Sequence, residues 1–146
     1  MSLDYSLYID TKAEIPEIVR LLVVERGFRG DGRSIEKQGV KAVVTGVHPI
    51  TRDLIRDEVG FSPTASILFT IDKDDAAKAR DVMIADVTAV LGLVSGDAIL
   101  VMSGDRSLLA RRGELVELNE GFYDFWTAER RSRFPLPHVL ATLPEF

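Results

Sequence analysis

The sequence of 146 residues contains no cysteine and only two histidines, His48 and His138. Without cysteine there are no disulfides, thiolate nucleophiles, iron–sulfur clusters or cysteine-based zinc sites, and two separated histidines offer little to a metal centre. Positive charge is also scarce, since 23 acidic residues against 18 basic ones give a net charge of −5. Broad binding to nucleic acid needs a concentrated basic surface. The composition therefore predicts no metal, no cofactor and no nucleic-acid partner.

Long hydrophobic runs are missing as well. The longest uncharged, apolar-rich run covers residues 87–96, far short of the roughly 20 residues that cross a bilayer. The first ten residues lack a basic segment and carry Asp4 where a signal peptide would be apolar. We therefore expect a soluble, cytoplasmic protein with no membrane partner, and the absence of cysteine is consistent with a reducing compartment.

What the chain does contain is enough apolar residues for one ordinary core. Hydrophobic residues make up 46% of the sequence, and a chain of this length buries about 68–70% of its unfolded surface. We expect a single domain over residues 1–146. Alternation of apolar and polar residues predicts strands, and apolar residues three or four positions apart predict helices. The predicted strands are 3–9, 40–47, 67–71, 98–102, 107–111 and 115–118; the predicted helices are 12–26, 51–59 and 72–94.

The expected fold is α+β, in the order β-α-β-(α)-β-α-β-β-β with an extended C-terminal tail that begins near residue 134. Two main helices should pack on one face of a mainly antiparallel sheet. Thr11 and Glu14 have capping-box spacing at the start of the first helix, and Thr51 is the expected cap of the short one. In the helix 72–94 the predicted solvent side includes Asp74, Lys78, Asp81 and Thr88.

Residues 27–34 match the phosphate-binding loop pattern G-x-x-x-x-G-K-[ST], except that arginine replaces the lysine. That loop needs a strand before it and a helix after it. Here a helix precedes the pattern, no helix is predicted after it, and Asp31 would place negative charge in the cradle. Residues 27–39 are therefore interpreted as an irregular connection.

The acids Asp72, Asp74 and Asp75 are a second tempting cluster, because carboxylate oxygens bind divalent cations. No glycine at the turn position and no later glutamate completes a calcium loop, so capping of the helix start is the better interpretation.

Catalysis has one candidate set. Asp53 and Asp57 would lie one helical turn apart near His48, an arrangement that could divide acid and base roles in a small-molecule hydrolase or transferase. Arg52 and Arg56 alternate with the acids, which is more typical of a solvated face with weak ion pairs. No catalytic residue is assigned.

Aromatic residues concentrate between residues 121 and 133, beside Arg130, Arg131 and Arg133. Phe125 and Trp126 are suited either to packing in the core beneath the tail or to anchoring a protein interface. The residues chosen as candidates for protein binding are Asp74, Asp81, Phe125 and Trp126.

Over most of its length the chain resembles the Sit-type (swarming-inhibition) immunity proteins of bacterial polymorphic toxin systems. The resemblance is carried by the segments LDYSL at 3–7, GFSPT at 60–64, ILFTIDK at 67–73, GDAIL at 96–100, LARRGEL at 109–115 and FWT at 125–127. It implies a non-enzymatic, cytoplasmic protein that binds a cognate toxin and blocks it. The acidic surplus is compatible with a basic partner.

Two other functions stay open beside toxin binding. The first is the hydrolase or transferase that would use His48, Asp53 and Asp57. The second is a self-associating module, in which an edge strand of the C-terminal meander pairs with a second copy to form a homodimer.

Overall fold

The first strand, β1 (Ser2–Ile9), lies in the middle of the sheet, between β4 (Ala65–Asp72) and β5 (Ala98–Met102), and is antiparallel to both. Its predicted alternation is confirmed. Tyr5, Leu7 and Ile9 are fully buried on one face, because successive side chains of a strand point to opposite faces. The second face of β1 carries Asp4, Ser6 and Tyr8.

The computed structural model describes residues 2–30, 32–122 and 124–146, and over these ranges it is α+β, with an eight-stranded sheet and four helices. The strand order is β2-β3-β4-β1-β5-β6-β7-β8, and all neighbours are antiparallel except β7 and β8. The other strands are β2 (Ser34–Lys37), β3 (Val40–Thr45), β6 (Arg106–Arg112), β7 (Leu115–Asn119) and β8 (His138–Ala141); the helices are α1 (Ile15–Arg26), α2 (Pro49–Val59), α3 (Ala76–Leu93) and α4 (Ala128–Ser132).

The two main helices, α1 and α3, contact each other and pack over β3 and β4 on one face of the sheet, as predicted. They cover the large core, to which Leu22, Met83 and Val87 contribute fully buried side chains. The shorter helix α2 lies on the second face, where Ile55 and Val59 join a smaller core over β5 and β6. The second face is therefore covered mainly at its β5–β6 side.

Both predicted helix caps are wrong by three residues. Glu14, not Thr11, is the N-cap of α1, where it forms a capping box with Glu17. His48, not Thr51, is the N-cap of α2, and its Nδ1 accepts from the backbone N–H of Ile50 at 3.2 Å. In both helices a proline follows the cap within the first two positions, where no N–H is lost.

Helix α3 begins at Ala76, four residues later than predicted, and Asp75 at its N-cap makes no side-chain capping hydrogen bond. The predicted solvent side is wrong at Thr88, which is 6% exposed and donates its hydroxyl to the carbonyl of Ile84. That bond satisfies the hydroxyl within the helix, so threonine is buried at little cost.

The connection 27–39 is more regular than expected, because residues 34–37 form β2 and pair with β3. Glu36 also exchanges two backbone hydrogen bonds with Arg29, which covers part of the outer edge of β2. The residues that match the phosphate-loop pattern are thus followed by a strand instead of the helix that such a loop needs, in agreement with the sequence interpretation. Asp31 lies outside the described residues.

The tail also forms a strand rather than only an extended cover. β8 pairs in parallel with β7, from Val116–His138 to Asn119–Ala141. The β7 edge of the meander, which the self-association alternative would leave for a second copy, is therefore occupied by the chain's own C-terminal segment.

Candidate functional site

A cleft of about 550 Å³ lies between α3 and α4. Its wall is mixed, with the apolar side chains of Ile84 and Phe134 beside the charged side chains of Asp81, Arg130 and Arg133. This cleft contains one of the four sequence-predicted binding residues, Asp81.

Arg130 closes one side of the cleft through several contacts at once. Its Nε and Nη2 both lie 2.9 Å from Oδ1 of Asp81, and its Nη1 donates to the carbonyl of Phe125 at 2.7 Å. The guanidinium also lies 4.8 Å from the centroid of the Phe125 ring, a distance at which a cation is attracted to the ring face. The negative charge of Asp81 is thus already compensated within the chain.

Phe125 and Trp126 lie beneath this ion pair. They are 8% and 2% exposed, and their rings meet edge to face at 4.9 Å. The Trp126 Nε1–H donates to the carbonyl of Leu108 at 2.7 Å, which satisfies the polar end of the buried ring. Both rings attach the segment after β7 to the main core.

Asp74, the fourth predicted residue, is exposed in the turn between β4 and α3. Its backbone N–H donates to Oδ1 of Asp72 at 3.1 Å. Asp72 therefore stabilises the turn, and the structure does not bring Asp74 together with Asp81 or the aromatic pair into one pocket.

The three residues of the enzymatic alternative lie on or beside α2. His48 caps the helix, and Arg56 pairs with Asp53 at 3.2 Å and with Asp57 at 3.5 Å. Both carboxylate side chains are more than half exposed. The observed arrangement is the solvated ion-pair face, with the imidazole engaged in backbone capping.

The structure contains a buried charged cluster that was not predicted from the sequence. Asp86 is fully buried in α3, and its Oδ1 lies 2.9 Å from Nε of Arg26 and 2.5 Å from Nζ of Lys37. Lys37 also donates to the carbonyl of Arg26 at 2.8 Å. One carboxylate thus joins the end of α1, the strand β2 and the middle of α3. The signal was available, since Asp86 lies three residues after Met83 and one before Val87, inside the apolar stripe.

Arg111 is a second buried charged residue that the sequence did not indicate. Its guanidinium donates to three carbonyls at and beyond the C-terminal end of α3, those of Leu91, Val94 and Gly96. Burial lowers the pKa of Arg111, and the charge of Asp97 opposes that shift. A cation at this end of a helix is favoured by the helix dipole, so the residue joins β6 to α3.

The second face of the sheet is open over β1, β4, β3 and β2. We call this surface the open sheet face. Cross-strand register places its outward side chains in rows, and none of the side chains in the two rows that follow is buried. One row is Asp4, Thr70, Lys41 and Glu36, and the next is Ser6, Leu68, Val43 and Ser34.

The described residues contain neither a cluster of metal-ligating side chains nor a membrane-spanning helix. Among residues 2–30, 32–122 and 124–146, no three histidine, aspartate or glutamate side chains are grouped closely enough to hold a metal ion. No helix in that same part of the chain is long and apolar enough to cross a membrane.

Comparison with known proteins identifies one relationship. A family model described as SitI3-like matches residues 3–130, which takes in the sheet from β1 to β7, the helices α1 to α3 and part of α4. No curated protein and no solved structure matches the chain.

Proposed function

The chain belongs to the SitI3-like family, and from this premise we propose that it is an immunity protein that neutralises a cognate bacterial toxin by direct binding in the cytoplasm. The observation that carries the proposal is the extent of the family match, from residue 3 to residue 130. An immunity protein acts by covering a partner, so it needs an exposed recognition surface and no reaction centre.

The surface of the described residues supports a binding role. The charged groups of the enzymatic alternative are engaged in capping and in exposed ion pairs on α2. The open sheet face, by contrast, presents partly exposed apolar side chains between charged ones, a composition found at protein interfaces.

Asp74 and Asp81 remain candidate contact residues for a basic partner. Both are exposed, and an acidic patch accelerates encounter with a positively charged protein. Asp81 would have to exchange Arg130 for a residue of the partner, whereas Asp74 has no such competitor among the ion pairs of the described residues.

Co-expression tests the proposal directly. The toxin encoded beside this chain's gene is expressed in bacteria with and without the chain, and survival is counted. We expect the chain to restore growth and the two purified proteins to form a complex with a Kd in the nanomolar range or below, as protein inhibitors do. Growth arrest that persists at equal expression, together with no complex at micromolar concentrations, contradicts the proposal.

A matched control keeps folding separate from recognition. The Asp86→Asn variant perturbs the buried charged cluster and leaves the exposed surface unchanged. At a temperature where it is folded, it should still bind and protect; loss of protection there would point to a function that depends on the interior.

A further inference from the structure

The open sheet face has a regular chemical pattern. Asp4 of β1 is paired across the strands with Thr70 of β4, and Thr70 with Lys41 of β3. The next row pairs Leu68 of β4 with Val43 of β3. A charged row thus lies directly beside an aliphatic one, on a surface that no helix of the described residues buries.

The charges of this face are negative in sum. The exposed acids are Asp4, Glu36 and Asp72, and the exposed cations are Lys41 and Arg29, which is paired with Glu36 across the edge of β2. None of these five side chains forms an ion pair with another described residue. Thr70 donates its hydroxyl to Asp4 at 3.1 Å, which fixes the carboxylate and leaves its charge uncompensated.

The backbone geometry decides which kind of partner can bind here. The N–H and C=O groups of β1, β4 and β3 are paired with neighbouring strands within the sheet. An added strand therefore finds a backbone edge only at the outer side of β2, part of which Arg29 already occupies. Contact has to be made between side chains, as between two folded surfaces.

The open sheet face is too small to form a standard protein interface without a second structural element. The open sheet face is four strands wide, at about 4.8 Å per strand. The two rows given above and the end of β4 at Asp72 make it about three rows long, at about 7 Å per row, so its area is roughly 400 Å². That is about half of the 800 Å² that each partner gives to a standard interface. Helix α2 packs on the same face and leaves Ile50 and Leu54, one turn apart, 74% and 44% exposed. Its outer side can supply the missing area.

Building on the proposed function, we infer that the toxin binds the open sheet face together with the outer side of α2, through a folded, basic surface. Lysine or arginine side chains of the toxin lie opposite Asp4, Glu36 and Asp72. Apolar side chains at the centre of its contact cover Leu68 and Val43. Asp81 then lies outside the contact, since it is on α3, which packs on the other face of the sheet, whereas Asp74 lies next to Asp72 at the rim of the contact.

The first test places a charge in the aliphatic row. The probe is the purified toxin encoded beside this chain's gene, and the measurement is its Kd for the intact chain. Leu68→Arg should raise the Kd about 30-fold or more, as loss of a central contact does. The matched control is Val24→Arg on α1, which is 69% exposed on the other side of the sheet and should change the Kd less than threefold. Unchanged circular dichroism and Tm verify that both variants are folded.

The second test uses only exposed acids, so that folding is preserved. The Asp4→Lys, Glu36→Lys double variant should slow association about tenfold at low salt and lose that effect at high salt. Its control, Glu25→Lys on α1 with Glu114→Lys in the turn between β6 and β7, changes two exposed acids away from this face; it alters the net charge by the same amount and should have a much smaller effect on the association rate.

The outcomes separate the two claims. If the wild-type chain binds and protects while Leu68→Arg and the Asp4–Glu36 double variant behave like it, the inference is overturned and the proposed function stands. A loss of binding in Asp81→Lys alone has the same meaning. If the wild-type chain neither binds nor protects, the proposed function itself fails.

Discussion

Replacing Asp86 by asparagine tests whether the buried charged cluster holds the helices to the sheet. Asp86 is fully buried, whereas the side chains of its partners Arg26 and Lys37 are 31% and 16% exposed. Asparagine keeps the size and removes the negative charge, so two cations are left close together without a counter-charge. The variant should therefore lose stability without a change of fold.

The magnitude follows from the burial of the three groups. Removing one partner of a buried ion pair costs about 3–5 kcal/mol. Because Arg26 and Lys37 retain some access to water, we expect a loss of about 3 kcal/mol. For a domain of this size, that corresponds to a fall in Tm of about 6–12 °C.

Urea unfolding at neutral pH measures the loss, and Asp81→Asn on the same helix is the control. Asp81 pairs with Arg130 but its side chain is 52% exposed, so its removal should cost only about 0–1 kcal/mol. A double-mutant cycle with Lys37→Met should give a coupling of at least about 1 kcal/mol between Asp86 and Lys37. Equal, small losses in both asparagine variants would refute the assignment of a structural role to the buried charge.

Three further substitutions test other contacts. Arg111→Met removes three hydrogen bonds to carbonyls at the end of α3 and should cost about 2–3 kcal/mol in urea unfolding, with Arg111→Lys recovering part of it; a neutral Arg111→Met would mean that water replaces the guanidinium. Trp126→Phe leaves the Leu108 carbonyl without its hydrogen-bond donor and should lower stability by about 1–2 kcal/mol. In the wild-type chain, tryptophan emission should resist quenching by acrylamide, and strong quenching would contradict the burial of Trp126. Gly96 has φ +122°, and Gly96→Ala places a Cβ 1.7 Å from the carbonyl oxygen of Asp10, so the variant should lose about 3 kcal/mol or more of stability. Its control, Gly92→Ala, has open space in α3 and should gain about 0.5–1 kcal/mol. Similar Tm values for these two alanine variants would show that the loop at Gly96 shifts freely.

The elements predicted from the sequence are those whose pattern is local. β5 has the predicted bounds, and α1 ends at Gly27, which adopts the left-handed conformation at φ 76°. The alternation in β1 predicted its buried face because Tyr5, Leu7 and Ile9 all point into the large core on one side of the sheet. In these cases the residues that form an element also determine where it begins or ends.

The elements that were missed depend on distant partners. β2 is four residues long and is held by β3 and by Arg29, and β8 exists because β7 offers a free edge. Short strands of this kind have little intrinsic preference, since strand stability comes from pairing and packing. The helix caps were misplaced for a related reason, because a glutamate or a histidine took the role that threonine more often has.

The same contrast between local patterns and distant partners applies to the charged residues. It explains why the candidate site was only partly predictable. Asp81 and Asp86 are five residues apart in one helix, yet one is exposed beside α4 and the other is fully buried against α1 and β2. Helical spacing distinguishes these two positions, so Asp86 could have been found. The open sheet face could not, because Asp4, Thr70, Lys41 and Glu36 come from four separate segments that meet only through strand register. Its exposure depends further on α2 covering β5 and β6 instead. The surface on which the proposed recognition depends is thus fixed by the tertiary fold, and binding measurements on Leu68 and its control Val24 address it more directly than any motif in the chain.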